Sequence, residues 1–165
     1  MLPLQVKTIH MYRLMEAWRD NKEIDFNFYD AHDLFISRDS SQRETIKRNL
    51  RERLKNAKQA VLIGTPTAKS KGGDGYSFLA HEISVIMDFN LPILIANKNG
   101  SRSIDYANIP KPLIDNNYYT ISTSFQPTII KFALDEYTPF FHSDKSITGP
   151  HFYKDEIYTN LGLDK

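Results

Sequence analysis

The sequence predicts an α/β layered fold built on a mostly parallel sheet. Two apolar runs, "AVLIG" at 60–64 and "LPILIAN" at 91–97, lack the alternation of a half-solvated strand and read as strands covered on both faces. Segments with helical spacing of apolar residues stand before, between and after them. Strands and helices therefore alternate along the chain, the pattern of a parallel sheet with helices packed on its faces.

"LPLQV" is the available first strand, but Pro3 has no amide hydrogen to give to a ladder, so that strand is short. "IHMYRLMEAW" then puts Ile9, Tyr12, Met15 and Trp18 on one helical stripe. "IDFNFYD" alternates Ile24, Phe26 and Phe28 against Asp25, Asn27 and Tyr29, as a strand does. After the polar connection "AHDLFISRDSS", Ser41 and Glu44 form a capping-box signature. The helix that follows has Ile46, Leu50, Leu54 and Ala57 on its inner face. "AVLIG" comes next, and "TPTAKSKGGDG", with Gly72, Gly73 and Gly75, reads as a mobile loop. "SFLAHEISVIMDF" is a helix stopped near Asn90 by Pro92. "LPILIAN" leads into a long connection with turn chemistry at Asn99 and Gly100. "YYTIS" reads as the last strand and "PTIIKFALDEY" as a closing helix. Residues 1–137 form one domain, and residues 138–165, which show no clear period, are an extension expected to pack on that domain or on a partner.

With 165 residues the chain suits a single well-covered core, and its 41% hydrophobic and 25% charged residues are ordinary for a globular protein. The net charge of +1 supplies no global field for nucleic acid or anionic membrane. There is no cysteine, which excludes disulfides and thiolate chemistry and fits a reducing cytoplasm. No stretch approaches the roughly 20 apolar residues of a membrane span, and "MLPLQVKTIH" lacks the apolar run of a signal peptide. A cytoplasmic location is the expectation.

One residue disagrees with its surroundings. On the helix 78–88, Glu82 falls inside the apolar arc, flanked by Phe78, Leu79, Val85 and Ile86 at helical spacing. His81, Ser84 and Asp88 lie opposite, so His81 reads as a surface histidine. A carboxylate in an apolar arc is costly unless paired, and burial raises its pKa. Two readings stand: a rim residue meeting a basic neighbour, or a functional acid at the end of the sheet where parallel folds bind ligands. The connections after the strand ends, at 30–40, 65–75 and 97–106, would surround such a site.

Other constellations are weaker. Lys69, Lys71 and the glycines beside them resemble a phosphate cradle, yet neither G-x-x-x-x-G-K-[ST] nor G-x-G-x-x-G is present, and a surface loop is the simpler reading. Asp30, His32 and Asp33 offer nitrogen and oxygen ligands without a diagnostic metal spacing, so turn and cap chemistry accounts for them. Residues 43–58 carry seven Lys or Arg against two Glu, which suits either a nucleic-acid face or a solvated outer helix. No aromatic interleaving supports base stacking there, so nucleic acid is not the expected partner.

Several strings together, "YRLMEAW", "IDFNFYDAHDL", "RDSSQRETIKRNLRERLKNAKQAVLIG" and "HEISVIMDFNLPILIANKNGSR", resemble the TIR-like domains typified by the Thoeris anti-phage sensor. The resemblance runs from about Ile9 to Tyr137. It implies a flavodoxin-like three-layer sandwich with about five parallel strands, and a flap at 30–40. Enzymatic members cleave the nicotinamide–ribose bond of NAD with a glutamate on the helix after the third strand, and Glu82 is the matching position. Asp30 and His32 on the flap, Tyr76 and Phe78 before and at the start of the helix, and Lys7 and Thr8 after the first strand are the expected substrate contacts. The family implies no metal and no cofactor, with NAD as the substrate. It also implies self-association, and a cyclic ADP-ribose-type signal that acts on a downstream effector. Against the family's pattern, this chain has only "LPLQVKT" where members begin with a good apolar strand, which keeps a second reading open: a TIR-like interaction module without turnover.

Overall fold

A computed structural model of the chain describes residue 20 and residues 43–164. The expected first strand, the helix at 9–18, the strand at 24–30, the connection at 30–40 and the cap residue Ser41 lie outside the described residues.

The described sheet has four strands, β1 (Ala60–Gly64), β2 (Ile93–Asn97), β3 (Thr120–Ser124) and β4 (Pro150–Phe152). They lie side by side in chain order and every pair is parallel. Helices α1 (Arg43–Leu54), α2 (Pro66–Gly72), α3 (Phe78–Asp88), α4 (Lys111–Asp115), α5 (Pro127–Ser143) and α6 (Asp155–Asn160) complete it, with a 3₁₀ turn at Tyr106–Asn108. The layered parallel α/β architecture is the expected one. The fourth strand is supplied by the tail, against about five expected in the domain proper.

The uninterrupted apolar run of β2 has a direct cause, because both faces of the strand are covered. Ile93 and Ile95 point into one core with Leu50 and Leu54 of α1, Ile83, Val85 and Ile86 of α3, and Leu113 of α4. Leu94 and Ala96 point the other way, against Ile130, Ala133, Tyr137 and Phe141 of α5. Each fully buried Ile or Leu contributes about 1.5–3 kcal/mol, so these two clusters hold the three layers together. β1 is less covered than its sequence suggests. Ala60 to Ile63 are half-buried, since β1 is the outermost strand among the described residues. Buried tyrosine hydroxyls pin the strands. Tyr137 Oη accepts from the Ile93 amide at 3.1 Å and donates to the Tyr119 carbonyl at 2.6 Å, and Tyr118 Oη donates to the Leu91 carbonyl at 2.8 Å.

The stretch expected to be a mobile loop is instead a helix. Thr65, extended at φ −143°, caps α2 by accepting from the Ala68 amide at 3.0 Å, and Pro66 supplies a preset φ at the first helical position. Gly72 serves close approach here, not mobility. A Cβ added there would lie 2.7 Å from Ile83 Cδ1 and 2.8 Å from Pro110 Cβ, so the missing side chain lets α2 press on α3 and on the start of α4. Gly72→Val is therefore expected to destabilise the fold by about 1–3 kcal/mol through overpacking, measurable as a lowered urea midpoint.

The segment after residue 137 is built into the sheet. α5 runs on to Ser143, and β4 pairs with β3, Thr120 facing Pro150 and Ser122 facing Phe152. Pro150 is at the first position of an outer strand, where a missing amide hydrogen costs no ladder bond. Tyr158 of α6 is fully buried, and its hydroxyl accepts from the Ser124 amide at 3.1 Å, closing the end of β3.

Candidate active site

The residue that disagreed with its surroundings in the sequence sits in the second turn of α3. A helix that follows a parallel strand returns toward the amino edge of the sheet, so its own first turns lie at the carboxyl edge, where ligands bind in such folds. The entry to α3 is tightly built. Ser77 caps the helix by accepting from the Ala80 amide at 3.3 Å, while its hydroxyl donates to the Lys71 carbonyl at 2.5 Å, tying α3 to the end of α2. Asp74 Oδ1 accepts from the amides of Tyr76 at 3.0 Å and Ser77 at 2.8 Å. These contacts hold the Asp74 carboxyl below its ordinary pKa, working against the burial that raises it.

Glu82 is buried, at 9% exposure, within a run of buried residues from Ala80 to Ile83. Its setting is that of an acid held away from bulk water. Phe78 is half-buried and packs on the core beside α1 and α3, whereas Tyr76 stands out of the turn at 71% exposure. Asp30, His32, Lys7 and Thr8 lie outside the described residues, so the structure brings together only the Glu82 side of the expected constellation.

His81 is a correction. It is 4% exposed, not a surface residue. The helical projection placed it away from the sheet, but α1 packs over that side of α3, so the helix is covered on both flanks. Burial, and then the nearby charges of Arg43 and Lys47 on α1, lower the His81 pKa, opposed by Asp74 and by a hydrogen bond to the Tyr76 backbone. Because its folded pKa lies below that of the unfolded chain, the unfolded state takes up a proton that the folded state refuses. Stability is therefore expected to fall as pH drops below about 6.5, until the lowered folded pKa is reached. Urea titrations at a series of pH values check this, and His81→Gln should lose that part of the slope.

Lys69 and Lys71, considered as a phosphate cradle, are exposed and occupy the last turn of α2, where they complement the helix dipole. The basic α1 is anchored on its neighbour: Arg51 pairs with Asp88 of α3 and lies 5.5 Å over the Phe89 ring.

The sequence reading passed over a polar network at the carboxyl ends of the strands. Asn97, fully buried, closes β2. Its Nδ2 donates to the carbonyls of Ser101 at 3.1 Å and Ser103 at 3.2 Å, and its Oδ1 accepts from Asn108 Nδ2 at 3.0 Å. Asp105 continues the network, accepting from Asn99 Nδ2 at 2.8 Å and from the Ala107 amide at 3.0 Å. A Cβ on Gly64 would lie 3.0 Å from Asn97 Oδ1, so the bare glycine makes room for this amide. The available signal was an asparagine ending a wholly apolar strand, followed at once by turn residues.

Among the described residues, a parallel sheet in chain order with helices packed on it defines a layered α/β domain. The comparison with known families agrees: residues 6–103 match the family described as Thoeris protein ThsB, TIR-like domain. The match covers more than half of the chain, and the chain belongs to that family. No curated protein matches it. Among the described residues no helix is long and apolar enough to cross a membrane.

Proposed function

We propose that the chain is an NAD-processing enzyme of a bacterial anti-phage signalling system, with Glu82 as its catalytic residue. The observation that carries this reading is a buried carboxylate in the second turn of α3, inside the stretch that matches the Thoeris TIR-like family. In a water-poor site a carboxylate accepts hydrogen bonds from ribose hydroxyls and stabilises the positive charge that develops on the sugar as the C–N bond breaks. The bonding electron pair leaves with nicotinamide, which departs neutral. A hydroxyl of the same ADP-ribosyl group then attacks the anomeric carbon and loses its proton, giving a cyclic product; attack by water gives open ADP-ribose.

In this reading Tyr76 and Phe78 supply aromatic surface, and Asp30, His32, Lys7 and Thr8 are the further substrate contacts. Residues 1–137 form the TIR-like unit and residues 138–165 its extension. The protein works in the cytoplasm, self-associates, needs neither metal nor cofactor, and signals to an effector through its product. Incubation with NAD and measurement of free nicotinamide tests the proposal. Release that depends on Glu82 supports it; absence of release at high protein concentration, with phage-infected extract added, assigns the chain to the alternative of an interaction module without turnover.

A further inference from the structure

The segments that leave the carboxyl ends of β2 and β4 face each other across the end of β3. Between them lies a cleft of about 580 Å³, lined by Gly100, Arg102, Ser103, Phe152, Lys154 and Asp155 among others. The cleft is open to solvent along one side, and the place is one where open parallel sheets bind ligands. Glu82 is not among its lining residues.

Its chemistry is specific. Arg102 is held in a fixed position. Its guanidinium carbon sits 4.3 Å from the centre of the Tyr158 ring, Nη2 donates to the Leu163 carbonyl at 2.6 Å, and Nη1 is 3.6 Å from Asp155 Oδ1. The side chain is only 18% exposed, so it is ordered before any ligand arrives. A guanidinium has five N–H donors, and these partners leave some of them for an anion. Lys154 is exposed and makes no ion pair among the described residues. The two cations outweigh Asp155, which already faces Arg102. Phe152, opposite Ser122 in the sheet register, leaves 46% of its surface open at the wall of the cleft. A half-open aromatic ring beside two cations fits a ligand with a flat base at one end and phosphates at the other.

We propose that this cleft binds a nucleoside diphosphate, its base stacked on Phe152 and its phosphates held by Arg102 and Lys154. Glu82 does not line this cleft, and the proposal does not depend on NAD being the substrate at Glu82. Isothermal titration of the full chain with ADP, and with adenosine as the phosphate-free control, tests it. ADP is expected to bind more tightly than adenosine and less tightly as salt is raised. Lys154→Glu and Phe152→Ala, both at exposed positions, should each weaken ADP binding by about tenfold through loss of charge attraction and of stacking. No binding at millimolar ADP, equal affinity for adenosine, or unchanged affinity in both cleft variants would each overturn the proposal.

Discussion

Glu82→Gln is expected to reduce nicotinamide release from NAD by about a thousandfold or more, which corresponds to about 4 kcal/mol of transition-state stabilisation. The substitution keeps the size of the side chain, removes its charge and replaces one acceptor oxygen with an NH2 donor. Ground-state binding should therefore change little, because the sugar becomes positive only as the glycosidic bond breaks, and kcat should carry the loss. Release at the parental rate in a folded variant would sink the catalytic assignment.

Asn97→Ala is expected to cost about 1–3 kcal/mol of folding stability, since truncation removes the donor to the carbonyls of Ser101 and Ser103 and leaves the Asn108 amide only its longer contact with Asp105. Asn97→Asp should cost more. It keeps an acceptor for Asn108 but turns a carboxylate oxygen toward two carbonyl oxygens in a fully buried position. Urea unfolding of the three proteins gives the order directly, and Asp tolerated as well as Asn would show that the network has another source of strength.

Much of the fold was legible in the sequence, and the exceptions have physical reasons. The apolar run at 93–97 announced a strand buried on both faces, the run at 60–64 announced a strand that is only half-buried, and Leu50 and Leu54 announced the inner face of α1. The stretch after β1 misled because three nearby glycines outweighed a Thr–Pro start signal. Glycine serves flexibility and close approach alike, and only the packing partner, here Ile83 and Pro110, tells them apart. β4 is three residues long, too short for any period to show. His81 was misplaced for a different reason. One helix projected alone reveals its apolar arc, not what will be laid over its other flank. At the candidate site, Glu82 was visible as a carboxylate in the wrong arc, whereas Asn97 and Arg102 owe their significance to partners 11 and 61 positions away.

The stacking of strands in chain order also bears on synthesis. β1, β2 and β3 can pair one after another as each leaves the ribosome, since every neighbour in the sheet is already present when the next strand appears. The contacts of Arg102 with Tyr158 and Leu163 form only after all of these strands have been made. A nascent chain thus passes through a stage with its sheet assembled and the end of β3 still open, and a chaperone or ligand arriving then would meet a surface that the finished protein covers.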